Sequence, residues 1–284
     1  MHLRYLAARL IRHFLPDGVA RTLLRRGLII RPGQETSDPQ AAVDRYLAEL
    51  GGMGLSVAGK RILVFGYGGH FAVGCGLLEA GAGHVVLCDR YAPPDDQRNR
   101  DLLSHYGTYL MLDGNKILPH PDYLSLLAGD IREAAFSKIK DPFDIVLSSF
   151  VYEHLDDVDG VTRVLAAFTR ANGSHLHIID LRDHFFRYPF EMLCYSESTW
   201  RHWLNPGSNH NRYRLKDYQA VFERYFQEVD FKILARDEEA FRLARARIRR
   251  EFLTGEPEID AVTIIRGIVS SPRGTMAAQP EEAL

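Results

Sequence analysis

The sequence predicts an open α/β fold: a mostly parallel sheet with helices on both faces, an antiparallel end and a helical cap in front of it. Three observations carry that prediction. From Leu55 onward, apolar runs short enough to be strands alternate with helix-like runs, which is the grammar of parallel βαβ units. The run ILVFGYGGHFAVG, residues 62 to 74, empties from a strand into Gly66, Gly68 and Gly69 and restarts as a helix, as chains do where backbone lies against a ligand. Two late strand-like runs, EVDFKILAR and AVTIIRGIVS, bracket a charged helical stretch and can pair as an antiparallel end to the sheet.

Taken in order, the chain opens with MHLRYLAARLIRHFLPDGVARTLLRRGLIIRP, in which Leu3, Leu6, Leu10 and Phe14 fall at helical spacing. Arg4, Arg9, Arg12, Arg21, Arg25, Arg26 and Arg31 face a single Asp17 there. Such a basic amphipathic helix pair is either a cap on the core with its arginines in water, or a peripheral contact with a membrane surface or acidic partner. RPGQETSDPQ reads as a polar linker, and Pro39 suits the first turn of the helix AAVDRYLAELGG. The strand RILVF follows, then a helix over about Phe71 to Ala80, the strand HVVLCD, a long insertion, the short YLSLLAGD, the strand DIVLSS, a helix through VTRVLAAFTR and the strand HLHIID. A polar and aromatic stretch from Leu181 to Arg214 leads to a helix over Leu215 to Phe226, the two late strands around EEAFRLARARIRREFL, and a small polar tail. The domain reading is a cap and linker over 1–54, a core over 55–271 with insertions at about 91–123 and 182–214, and a flexible tail over 272–284.

Bulk properties narrow the function classes. With 284 residues, 46% hydrophobic and 25% charged, the chain can bury one large core, which excludes disordered and disulfide-scaffold classes. A net charge of -2 supplies no global field for nucleic acid, so no nucleic-acid partner is expected. Cys75, Cys88 and Cys194 lack CxxC spacing, which fits a reducing, cytoplasmic setting, with Cys75 and Cys88 facing the core. No apolar run reaches the roughly 18 residues a membrane span requires.

For a dinucleotide the glycine turn would read GxGxxG, and the frame here falls on Gly66, Gly68 and Phe71; no GK[ST] follows for a P-loop. ILVFGYGGH instead resembles the glycine-rich first motif of class I S-adenosylmethionine-dependent methyltransferases. CDR at 88–90 looks like their acidic second-strand end, GDI at 129–131 is similar to their adenine-flanking segment, and FDIVLSSFVYEHLDD at 143–157 resembles the fourth-strand motif of the small-molecule branch. The resemblance covers residues 60 to 180 and implies a Rossmann-like seven-stranded sheet and S-adenosylmethionine as cofactor. It implies that Gly66, Tyr67, Gly68 and Gly69 lie along the methionine and ribose. It further implies that Asp89, beside Arg90, accepts both ribose hydroxyls, that Asp130 accepts from the adenine amino group with Ile131 on the ring, and that Ser149 and Phe150 line the floor. Read alone, Asp89 is equally a cap for its own turn, and Asp130 an N-cap ahead of IREAAF with Glu133 closing a capping box. Val64 and His70 stand where the family often has an acidic residue and a glycine.

Methyl transfer from a sulfonium is an in-line displacement, so the expected machinery is an aligned acceptor, excluded water and a base for the acceptor proton. His184 is the expected base, with Asp183 favouring its imidazolium and Arg182 holding an anionic acceptor; packing is the alternative role for the histidine. His154 is either a loop-ordering residue, as the resemblance implies for its Glu-His pair, or a second catalytic group. Tyr152, Tyr195, Trp200 and Arg212 are expected to face the acceptor, the last three within a lid of aromatic and cationic residues that also includes Tyr188, Phe190, Trp203, Tyr213, Arg187, Arg201 and Arg214. The insertion after the second strand supplies the other wall. His175 and His177 share a strand face, which points to packing under a helix, and with no HxxxH or CxxC spacing no metal is expected. Methyl transfer to oxygen or nitrogen of a metabolite, natural product or glycan is the leading reading. A nucleic-acid or protein methyltransferase and a non-catalytic scaffold of the same fold are the alternatives: the first has Ser148-Ser149-Phe150-Val151 in place of N/D-P-P-Y against it, and the second has Val64 and His70 for it.

Overall fold

A computed structural model describes residues 3–14, 38–133, 139, 141–184, 187–205 and 210–274. The expected second half of the cap with Arg21, Arg25, Arg26 and Arg31, the helix beyond Glu133 and the tail from 275 lie outside these residues.

Helix α1 spans Leu3–Phe14, and α2 spans Pro39–Gly52 with the Asp38 carboxylate accepting from the Ala41 amide at 3.1 Å ahead of Pro39. Strand β1, Arg61–Phe65, feeds α3, Ala72–Glu79, and β2, His84–Asp89. The hairpin β3, Leu110–Asp113, and β4, Lys116–Pro119, turns at Gly114, and β5 covers Leu124–Ala128. β6, Phe143–Ser149, is followed by α4, Val158–Ala167, and β7, Thr169–Asp180. After the lid segment come α5, Leu215–Tyr225, β8, Phe226–Arg236, α6, Glu238–Ala244, and β9, Val262–Pro272.

Seven strands form one sheet in the order β5-β2-β1-β6-β7-β9-β8, with β9 antiparallel between β7 and β8 and every other direct pairing parallel. The order reverses between β1 and β6, and open α/β sheets bind ligands outside the carboxyl ends of strands at such a switch point. Because successive strand residues face opposite ways, Leu63, Phe65, Val146 and Ile179 pack on one side with α4 and α5. Ile62, Val64, Ile145 and Ile178 pack on the other with α2 and α3. A Cβ on Gly76 of α3 would come within 2.9 Å of Val43 in α2, so that glycine sets how closely the two helices approach.

Three expectations change. The charged stretch 238–253 is not one helix. It stops at Ala244 and continues as short 3-10 turns over Arg245–Arg247 and Arg250–Phe252, because Ile248 takes extended backbone to bury its side chain against Phe190, Leu193 and Phe241. The strand expected from His175 begins at Thr169. The arginines of α1 are not all in water: Arg9 is buried, bonded to the Leu204 carbonyl at 3.1 Å and to the Asp183 carboxylate. His175 and His177 lie beneath α5 as expected, in ring contact with Phe226 and Phe222. Cys75 and Cys88 are buried, and burial pushes both thiols up to about 12.

Candidate functional site

The glycine turn opens at the carboxyl end of β1. Gly66, Gly68 and Gly69 have φ of 85°, 68° and 83°, a region costly for side-chain-bearing residues. A Cβ at Gly66 would sit 2.2 Å from Val151, and one at Gly69 would sit 2.4 Å from the Pro93 carbonyl, so both answer to close packing within the chain. Gly68 is exposed, and its amide donates to Asp89 at 3.0 Å. Tyr67 is buried and stacks on Phe71. The insertion folds back on this turn. Asn99, wholly buried, accepts from the Phe71 amide at 2.9 Å and donates to the Gly69 carbonyl at 3.0 Å. His70 faces Arg98, and burial pulls its imidazole down to about 4, leaving it neutral near pH 7. Sequence reasoning passed over Asn99 because nothing local distinguishes it from a loop asparagine.

Asp89 serves its own turn and the glycine turn at once. One carboxylate oxygen accepts from the Tyr91 and Ala92 amides, each at 2.8 Å, while the other accepts, among the described residues, from Gly68 alone. That second oxygen keeps capacity for a hydroxyl donor. Asp130 differs. The Arg132 amide, Nε and Nη2 donate to its two oxygens and Arg90 pairs with it at 3.1 Å, so its acceptor positions are filled and no oxygen is left for an adenine amino group. Hydrogen bonding from Arg132 holds this carboxyl below its ordinary range. Arg90 and Arg132 both continue to Asp156. Ile131 is buried within the sheet-side core.

At the end of β6, the Ser149 hydroxyl accepts from Arg45 and Tyr46 of α2, each at 3.1 Å. Phe150 has φ of 56° while its amide donates to the Ile178 carbonyl at 2.8 Å. This non-glycine residue in the left-handed region stores strain at the strand tip. The turn it makes brings Val151 against Gly66.

Beyond that turn, the 3-10 helix Tyr152–His154 and the segment after β7 meet. The His154 and His184 rings are 4.6 Å apart, and His210 lies 4.5 Å from His184 and 5.5 Å from His154. Asn211 stitches this together, donating its amide to the Glu153 carbonyl at 2.8 Å and its side chain to the Tyr152 carbonyl at 2.7 Å. Glu153 is buried, and that burial raises its carboxyl well above the usual range. Glu153 is expected here as the partner of His154 in the Glu-His pair, whereas His210 was not among the expected site residues; only the convergence of three separated segments reveals it.

Several expected acceptor residues are structural instead. Tyr152 is wholly buried among His177, Tyr218 and Phe222, because the 3-10 turn points it into the core. Asp183, expected to favour the His184 imidazolium, is buried and engaged with the cap: Tyr5 donates to it at 2.5 Å and Arg9 pairs with it, anchoring α1. Arg182 is hooked on Asp180 through Nε and Nη2, and those bonds raise its pKa. Arg212 is buried as a strut that donates to the Met192 and Tyr195 carbonyls and pairs with Glu197, while Trp200 is buried with its indole N–H on the His210 carbonyl at 3.2 Å. Tyr195 stacks on Tyr5 of α1 and bonds Glu191 at 3.2 Å. Of the lid residues, Trp203 remains 54% exposed.

No family model and no curated protein sequence matches the chain. Solved structures do. A candidate sarcosine dimethylglycine methyltransferase of Galdieria sulphuraria superposes with a TM-score of 0.53 at 13% identity, over 92% of this chain and all of the other. A phosphoethanolamine N-methyltransferase of Haemonchus contortus, solved with phosphomonomethylethanolamine and S-adenosylhomocysteine, gives 0.52 at 14% identity, over 81% of this chain and 53% of its own. A geranyl diphosphate methyltransferase bound to S-adenosylmethionine gives 0.50 at 11% identity, over 81% and 84%. With the strand order and the antiparallel β9 described above, these likenesses give the chain the fold of the class I S-adenosylmethionine-dependent methyltransferases.

Proposed function

We propose that the protein transfers the methyl group of S-adenosylmethionine to an oxygen or nitrogen atom of a small-molecule acceptor. One observation carries this reading: the left-handed glycine turn, Asp89 with one oxygen still able to accept, and the Ser149–Phe150 tip stand together at the carboxyl ends of three neighbouring strands, β2, β1 and β6. S-adenosylmethionine fits this set. Gly68 leaves backbone open to the methionine and ribose portions, and Asp89 suits a ribose diol. S-adenosylmethionine supplies a methyl group on a sulfonium. The acceptor enters beyond Phe150, where His154 and His184 line the crevice; its lone pair forms the new bond to carbon as the S–CH3 bond breaks, the electron pair stays on sulfur, and the acceptor proton passes to His184. The solved neighbours named for sarcosine, phosphoethanolamine and geranyl diphosphate support small-molecule acceptors as a class.

Calorimetry with S-adenosylhomocysteine tests the cofactor half. Wild-type protein binds it, and Asp89→Ala weakens binding by about 1–3 kcal/mol through the lost hydrogen bonds. An unchanged affinity removes Asp89 from the site, and no binding by the wild type overturns the reading. With an acceptor in hand, His184→Ala lowers turnover by about 10²- to 10⁴-fold.

A further inference from the structure

We propose that Glu153, His154 and His184 form a binding site for a divalent first-row transition-metal cation at the carboxyl ends of β6 and β7. One ligand atom from each of the three residues lies within 4.8 Å of the other two, a span that small rotamer adjustments close around an ion. The donor set is chemically coherent: two imidazoles and one carboxylate hold zinc in hydrolytic sites and non-haem iron in facial triads, with positions left for an exogenous ligand.

A second, independent observation points into the cluster. Glu153 is 1% exposed, yet neither carboxylate oxygen has a hydrogen-bond partner among the described residues. A buried carboxylate left this way is costly; a proton removes the charge, and a cation held jointly with the two adjoining imidazoles removes it while using all three donors. His210, 2% exposed and packed edge-on against both other histidine rings, lies beside the Arg182 backbone and has no close hydrogen-bond partner at either ring nitrogen among the described residues. Four donor-bearing side chains from three chain segments are thus gathered in one place, two of them stripped of water. His154 and His184 are only half-buried, so the site keeps an open side. Arg182, the cation that acts on Glu153, is committed to Asp180, and among the described residues no ion pair reaches Glu153.

A cation here would hold an acceptor oxygen or nitrogen in line with the methyl group, which extends the methyl-transfer reading and rests on it; binding of the cation itself does not. In the loaded site His184 would be a ligand and not the base, and an acceptor hydroxyl held on the cation, its pKa lowered there, would release its proton to water on the open side.

The test is titration of the chelator-treated full chain with Zn²⁺ by calorimetry and with Co²⁺ by visible absorption. The expected result is one equivalent bound, with d–d bands of a nitrogen- and oxygen-ligated Co²⁺. Glu153→Gln, which preserves shape, and His184→Ala, at a half-buried position, each weaken binding by at least about 100-fold. Both variants are to retain S-adenosylhomocysteine binding as evidence of an intact fold. Absence of binding by the wild type, or an affinity that neither substitution changes, overturns the site. A wild-type chain that binds S-adenosylhomocysteine but no cation overturns the metal site and leaves methyl transfer standing with His184 as base. A bound cation without nucleoside binding supports the metal site and removes its link to methyl transfer.

Discussion

Single residues show how much of the glycine turn is built for the chain itself. Gly66→Ala puts a Cβ into Val151 at a φ of 85°, so it meets two separate penalties. We expect a loss of about 2–4 kcal/mol in urea unfolding, with Val151→Ala in the same chain recovering only the steric part and leaving about 1 kcal/mol or more of backbone strain. Complete recovery would show that backbone conformation costs nothing there. His177 gives a pH signature. Burial lowers its imidazole from 6.5 to about 3, and burial also lowers His175 well below its ordinary value. Both are neutral when folded, while the unfolded chain protonates them below about pH 6.5. Their contribution is therefore complete above that pH and declines as pH falls toward 3, by about 1.4 kcal/mol per pH unit for each proton. In His177→Gln the slope of unfolding free energy between pH 6 and 4 should be shallower by about one proton, and an unchanged slope would mean that the ring is charged or hydrated in the folded state.

At the scale of elements, α1 is held by a pair 174 residues apart in the chain. Arg9 and Asp183 are 3% and 0% exposed, so their pairing compensates each for lost water, together with the Leu204 carbonyl on Arg9 and the Tyr5 hydroxyl on Asp183. Removing one partner of a buried pair costs about 3–5 kcal/mol, and Arg9→Ala should undock α1 from the lid segment, seen as fast hydrogen exchange at residues 5 to 10 while β1 and β6 stay protected. Protection of α1 equal to wild type would place its anchorage in Tyr5 and Leu6 instead. This pairing also marks where the sequence stops being informative. β1, β2 and β6 are legible because strands buried on both faces read as continuous apolar runs, and the glycines are legible because few other residues tolerate such backbone. Arg9 looked like a solvated arginine and Asp183 like a partner for His184, since nothing in a linear pattern says that two segments so distant meet. Tyr152, Trp200 and Arg212 mislead for a related reason. Aromatic and cationic residues that would suit an acceptor pocket equally suit the struts holding its walls, and only burial tells them apart. Glu153 was readable as part of a motif, but its lack of a partner is a property of the assembled fold.

The whole molecule couples these scales through its crevice. The glycine turn is tied to the insertion by Asn99, the β6 tip to α2 by Ser149, and the segment at His210 and Asn211 to the 3-10 turn at Tyr152–His154. A ligand that binds across β1, β2 and β6 therefore contacts elements from both faces of the sheet and stabilises the folded chain as a unit. At a concentration of S-adenosylmethionine 100 times its Kd, linkage gives about 2.7 kcal/mol. For a chain of this size that corresponds to a Tm raised by roughly 5–10 °C in differential scanning fluorimetry. Asp89→Asn keeps one oxygen for the turn amides of Tyr91 and Ala92 while presenting an amide N–H in place of the second acceptor, so its Tm without ligand should stay near wild type and its ligand-induced shift at the same concentration should shrink. A variant that loses stability without ligand yet keeps the full shift would assign Asp89 to the turn alone, and the diol would then need another carboxylate.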